Sequence, residues 1–189
     1  MNLFSLLAEG FDLPVLDWIA EHLWCPALDF LMPKITLLGD AGIFWMIIAA
    51  ALLLFRKTRR TGVGMLLALL MGLLLCNLTL KPLCQRIRPY DYQLQYFQRE
   101  IVLLIEAQHD FSFPSGHTIA SFEACTALMI RNKKLGIPAT ILAIMIAFSR
   151  MYLYVHYPTD VIASVILGIG FGFIGCWLVD KLAQKFPKL

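Results

Sequence analysis

Charge is scarce in this chain. Asp, Glu, Lys and Arg make up 15% of its 189 residues, against roughly 25% in an average soluble domain. Apolar residues reach 59% and mean hydropathy is +0.72, a balance that points to the membrane. Metal and redox motifs are missing too. The five cysteines, at 25, 76, 84, 125 and 176, form neither a CxxC pair nor a zinc-ligand spacing. Cys76, Cys125 and Cys176 lie in apolar runs, where a thiol packs as a small hydrophobe. Cys25 and Cys84 fall in the same outer region and could be bridged. There is no internal repeat and no low-complexity tract. The first residues carry neither a basic n-region nor a small-residue cleavage site, so no removable signal peptide is expected. A net charge of +3 gives no reason to expect a nucleic-acid partner.

Long apolar runs are abundant. Thr61–Leu80 is 20 residues without a formal charge and Val161–Val179 is 19, each near the ~20 residues that span a ~30 Å hydrocarbon core. Ala41–Phe55, Leu135–Ser149 and Ser115–Ile130 bring the expected count to about five transmembrane helices. The fold class is therefore an all-α membrane bundle, with the core at 41–180 and a short tail at 181–189. In residues 1–40, Asp12, Asp17, Glu21, Asp29, Lys34 and Asp40 recur among Leu, Ile and Phe. That pattern predicts amphipathic helices lying in the interface, with Trp18 and Trp24 as anchors. Basic clusters at 56–60, 131–134 and 181–188 share one side by alternation, which the positive-inside rule makes cytoplasmic. The 81–114 segment and the 156–160 turn then face outward. Gly168 and Gly172 form a GxxxG pair suited either to packing inside the bundle or to dimerisation.

Four cations are left over from this topology: Lys81, Arg86, Arg88 and Arg150. Ionisable groups at membrane depth are expensive and generally face the protein interior. Lys81 and Arg88 are seven apart, so a continuing helix would put them on one face with Arg86 rotated away, though Pro82 fits such a helix awkwardly. In "PSGH", Pro114 can start a helix, and Ser115 and Gly116 can present free backbone N–H groups to an anion, with His117 beside them. In "VHYPTD", Asp160 stands four residues after His156 and can accept its ring N–H. A histidine held this way is a competent nucleophile. By alternation, Lys81, Arg88, Ser115, Gly116, His117, Arg150, His156 and Asp160 all lie near the outer face, a set suited to a phosphoryl group. Glu123, about 120° around the helix from His117, reads as a buried structural carboxyl.

These residues closely resemble the type 2 phosphatidic acid phosphatase superfamily of membrane lipid phosphatases. Lys81, Arg88 and Pro89 match its K-x6-R-P motif, Pro114–His117 its P-S-G-H motif, and Ser149, Arg150, His156 and Asp160 its S-R-x5-H-x3-D motif. The match covers roughly 41–180. Many bacterial members have six spans, whereas the first forty residues here read as interfacial. The resemblance implies a metal-independent, cofactor-free enzyme of the cell membrane. His156 would attack the terminal phosphorus, oriented by Asp160, and His117 would serve as acid and then base. Lys81, Arg88, Ser115, Gly116 and Arg150 would bind the phosphate oxygens, with Arg86 in support. The implied partners are the bilayer and a lipid phosphate, most simply undecaprenyl diphosphate. Phosphatidylglycerophosphate or phosphatidic acid is the alternative. A lipid-binding or transport protein with an inactive site is the non-enzymatic one. The aromatic segment from Tyr90 to Phe113, with its apolar run Ile101–Ile105, reads as an outer cover that could admit a lipid tail.

Overall fold

The computed structural model describes residues 3–185, and all regular structure among them is helical. The chain opens with α1 (Leu3–Leu7), a π-helical turn (Ala8–Asp12) and α2 (Leu13–Leu23), followed by α3 (Pro26–Leu37). A 3-10 turn at Asp40–Gly42 leads into α4 (Ile43–Leu53). Next, α5 (Arg59–Met71) runs through a π-helical stretch (Gly72–Leu80) into α6 (Lys81–Cys84), and α7 (Pro89–Phe97) follows. The chain then forms α8 (Gly116–Arg131), α9 (Lys133–Tyr152) and α10 (Pro158–Lys185). Of the expected basic tail, Lys181 and Lys185 close α10, while Lys188 lies outside the described residues. All five cysteines are free, so Cys25 and Cys84 are not bridged.

Among the described residues, three helical runs are long and apolar enough to cross a membrane: Arg59–Phe97, Lys133–Tyr152 and Pro158–Lys185. Pro26–Leu37 and Asp40–Leu53 make a fourth when taken as one span bent by 41°. The boundary expected at 40/41 falls at the bend of this pair. The acidic residues that suggested an interface have protein partners instead. Asp12 Oδ2 accepts from Arg86 at 2.6 Å, and Asp17 Oδ1 from Arg99 and from Tyr154 Oη, both at 2.8 Å. Asp29 Oδ1 accepts from Tyr152 Oη at 2.6 Å. A carboxylate paired this way no longer demands water. Trp18 and Trp24 are exposed, as anchors would be, and the Trp24 indole N–H also donates to the Tyr152 carbonyl at 3.1 Å.

The fifth expected span, α8, has only 16 residues, about 24 Å of helix. It is buried from Thr118 to Leu128 apart from Ala120, because α5, α9 and α10 pack around it. The GxxxG pair belongs to this packing. A Cβ at Gly168 would sit 2.8 Å from the Ile119 carbonyl oxygen, and one at Gly172 would sit 2.6 Å from Thr126 Cβ. Both glycines let α10 lie directly on α8. Gly170, two residues along, has nothing within 4 Å. Gly168→Ala is therefore expected to destabilise the bundle by about 1–3 kcal/mol through overpacking. Gly170→Ala should be neutral or stabilising by up to about 1 kcal/mol. Thermal unfolding of both variants in one detergent checks the contrast.

Candidate active site

The helix carrying Lys81 does not continue to Arg88. It closes at Cys84, Gln85 turns left-handed (φ 47°), and Arg88 is extended ahead of Pro89. The shared helix face expected for the two cations is thus absent, and a loop brings them together. Wide turns before Pro82 accommodate its ring: the Lys81 N–H bonds the Cys76 carbonyl, five residues back. Lys81 Nζ and Arg88 Nη2 both form short ion pairs with Asp110. Arg88 Nε also donates to the Asp110 carbonyl at 2.8 Å, and Nη1 to the Val155 carbonyl at 2.7 Å. Burial pushes the Asp110 carboxyl up, but Lys81 and Arg88 outweigh it and hold it below the usual carboxylate range. One carboxylate therefore rests between two cations expected to bind phosphate.

Arg150 ends α9 fully buried. Its Nη1 donates to Thr36 Oγ1 at 2.5 Å, while Nε and Nη2 have no hydrogen-bond partner among the described residues. The ion pair with Asp160 or Glu123 that could have explained Arg150 structurally does not form. The chain then folds back so that the His156 N–H bonds the Arg150 carbonyl at 3.2 Å, which sets the six-residue spacing between these two side chains. His156 Nε2 lies 3.3 Å from Arg88 Nη1. On the other side, Nδ1 is 3.5 Å from Asp160 Oδ2, an ion-pair distance longer than a good hydrogen bond. Asp160 is held mainly by others: Arg86 Nη1 and Ser112 Oγ form short bonds to it, and the Tyr157 N–H donates to it at 3.1 Å. Arg86 also reaches Thr159 Oγ1 at 2.8 Å.

At the start of α8, Ser115 is fully buried and its N–H donates to Ser164 Oγ at 2.8 Å. It is not a free anion ligand. Gly116 and His117 do face a cavity of about 630 Å³, together with Lys81, Arg88, Arg150 and His156. The cavity continues between α4 and α5 along Met46, Leu66, Leu69 and Leu73, and Asn77 and Glu123 also line it. Glu123 is buried, with Oε1 unpartnered. His117 Nε2 is 2.6 Å from Asp40 Oδ1. Over this face, Ile101, Leu103 and Ile105 of the outer segment pack against the apolar clusters below, while Val102 is exposed. Among the described residues, no group of three or more His, Cys, Asp or Glu side chains is arranged to hold a metal ion.

Sequence reasoning missed Thr36, Asp40, Asp110 and Ser112 as parts of this site, and Asp12 as the partner of Arg86. The available signal was the surplus of buried cations, since each needs a partner in a dry interior. The sequence does not say which acidic residue serves which cation.

Residues 61–184 match the PAP2 superfamily, and the chain belongs to that superfamily. Among its relatives, an undecaprenyl-diphosphatase of Sulfolobus acidocaldarius is 33% identical over 131 residues, which are 69% of this chain and 61% of that protein. The match thus spans less than two thirds of that relative's length. A phosphatidylglycerophosphatase B of Bacillus subtilis is 31% identical over 176 residues, 86% of this chain and 74% of that protein. The crystal structure of Aquifex aeolicus LpxE superimposes with a TM-score of 0.74 at 27% identity, covering 87% of this chain and 93% of that one.

The Arg86 cluster yields a stability prediction. Asp12→Asn removes one of the two carboxylates paired with the buried Arg86 guanidinium and should lower unfolding free energy by about 1.5–3 kcal/mol through the weakened charge-assisted bonds. Arg99→Ala removes an ion pair that is largely exposed and should change it by less than about 1 kcal/mol. Melting temperatures of the purified variants separate the two.

Proposed function

We propose that this protein is a lipid phosphatase that removes the terminal phosphate of a membrane lipid phosphate or diphosphate through a phosphohistidine on His156. One observation carries the reading: Arg150 is a fully buried guanidinium with two nitrogens unpartnered, in a cavity shared with Lys81, Arg88 and two histidines. A buried cation with free donors is strongly unfavourable unless an anion completes it, and a phosphoryl group supplies acceptors on every side.

A proton on His156 Nδ1, toward Asp160, leaves the Nε2 lone pair on the Arg88 side to attack phosphorus. Lys81, Arg88 and Arg150, with the Gly116 backbone at the α8 N-terminus, hold the equatorial oxygens and stabilise the charge that gathers on them. Asp110 moves aside as the phosphate takes over its two cations. Ser115 supports the helix start rather than touching the phosphate. His117 protonates the leaving oxygen, then takes a proton from the water that cleaves the phosphohistidine. No step calls on a metal ion, so turnover is expected to survive excess chelator.

The apolar arm between α4 and α5 suits a lipid chain, with its phosphate at headgroup depth. Undecaprenyl diphosphate is the substrate we favour, in keeping with the Sulfolobus acidocaldarius relative. Phosphatidylglycerophosphate is the second reading, favoured by the longer match to the Bacillus subtilis one. We assign the site to the outer face of the cell membrane. An impermeant thiol label should then reach a cysteine placed at Gln95 in intact cells, but one placed at Asn132 only after permeabilisation. The reverse pattern would put the chemistry in the cytoplasm.

Rapid-quench trapping under alkaline conditions tests the chemistry. With labelled p-nitrophenyl phosphate, whose leaving group departs without a proton, His117→Ala should accumulate phosphoenzyme for want of a base in the water step, because general acid–base help is worth roughly 10²–10⁴-fold, and His156→Ala should form none. Label in His156→Ala would reverse the roles. Release of phosphate with no phosphoenzyme in any variant would overturn the covalent route. Comparing phosphate release from undecaprenyl diphosphate, phosphatidylglycerophosphate and phosphatidic acid decides the substrate.

A further inference from the structure

The contacts of the site reach beyond the three motif segments. His117 is bonded to Asp40, which belongs to none of them and lies 77 residues earlier, at the bend between α3 and α4. The approach is close: a Cβ at Gly39 would sit 2.6 Å from His117 Cδ2 and 3.1 Å from its Cβ. The Cδ2–Nε2 edge of the imidazole therefore rests on the 39–40 backbone and the Asp40 carboxylate. Its other edge, Nδ1–Cε1, faces away from that segment. Gly39, Ala41 and His117 line the cavity, while the Asp40 carboxylate bonds the ring from a half-exposed position outside that lining. One turn earlier, Thr36 holds Arg150 at 2.5 Å. The bend thus supports two of the side chains that surround the reacting group.

The electrostatic setting gives this contact work to do. Arg150 from α9, Lys81 and Arg88 from the segment after α5, and His156 from the turn before α10 all share the cavity with His117. Asp110 also lines it, but its carboxylate is taken by Lys81 and Arg88. Three fixed cations disfavour an imidazolium, and a bonded carboxylate favours it. Asp40 is the carboxylate bonded to this ring.

We propose that Asp40 is the positioning residue for His117, locking the ring with its Nε2–H on the carboxylate so that Nδ1 carries the transferable proton. The inference rests on His117 acting as the acid. In the first step the P–N bond to His156 forms and the P–O bond to the leaving group breaks, while the Nδ1 proton passes to the departing oxygen. His117 is left as the neutral Nε2–H tautomer, still bonded to Asp40. Its Nδ1 lone pair then takes a proton from the attacking water as the new P–O bond forms and the P–N bond to His156 breaks, which releases phosphate, frees His156 and restores the imidazolium. The Asp40 bond persists through the cycle and no proton moves along it.

The test compares Asp40→Asn with wild type on two substrates, and the alkyl phosphate of phosphatidic acid, whose alkoxide must be protonated, is the demanding one. Asn can still accept the Nε2–H bond but carries no charge. Its kcat on phosphatidic acid should fall by about tenfold or more, as expected for a weakened general acid, with KM within about threefold. Without the negative charge the imidazolium loses its proton more readily, so the alkaline limb of the kcat–pH profile should move to lower pH. The p-nitrophenyl phosphate burst needs no leaving-group proton, so it should keep full amplitude, which also reports an intact phosphate site. Asp40→Glu should recover part of the loss. A wild-type kcat and pH limb in Asp40→Asn would sink the proposal. So would loss of the burst in both Asp40 variants, which would make Asp40 a support of the phosphate site instead. His117→Ala, measured alongside, separates the two failures: if it too leaves phosphatidic acid turnover intact, the acid assignment has failed rather than the role of Asp40.

Discussion

Arg86 is the point on which the site-bearing half of the molecule is assembled. Its guanidinium is buried and paired with Asp12 from the first helical segment and Asp160 from the start of α10, and it lies 3.9 Å from the Tyr157 ring centroid. Taking a charge out of water costs several kcal/mol per ion, so the arrangement holds only while both carboxylates are in place. Three segments distant in sequence are fixed to one another as a result. Asp160, pinned from this side, is the group that faces His156 Nδ1.

A second consequence is a separation of charge. Around Arg86 one cation meets two carboxylates, whereas Lys81, Arg88 and Arg150 converge in the cavity on the Asp110 carboxylate, with Glu123 also in its wall and Asp40 outside it. The imbalance toward positive charge sits where the phosphoryl group is proposed to bind. The opposite imbalance sits behind His156. The field therefore runs from the phosphate site toward the nucleophile's supporting side, and electron density moves against it, from His156 toward phosphorus, during attack.

Much of this was legible in the sequence, and for a definite reason. Apolar runs are local, so α9, α10 and the helix beginning at α5 could be found from hydropathy alone. Lys81, Arg88, His117, Arg150 and His156 could be picked out because a cation or an imidazole at membrane depth demands an explanation. The misreadings share one cause, a partner far away in the chain. Asp12 is 74 residues from Arg86 and Asp40 is 77 from His117, so nothing local tied either carboxylate to its partner. The Lys81–Arg88 spacing suggested one helix face because a left-handed Gln85 leaves no local signature. Ser115 looked like an open backbone donor because Ser164, which takes its N–H, lies a full span away.

The π-helical stretch between Gly72 and Leu80 makes chain length itself a constraint. Widened turns absorb residues that a regular α-helix would place elsewhere around its axis. Removing one residue between Gly72 and Lys81 would swing everything after it by about 100°. Lys81 would leave the cavity wall although every side chain named in the site remained. For this segment the count of residues matters as much as their kind, so a deletion here would do harm that no single substitution at the same positions would reproduce.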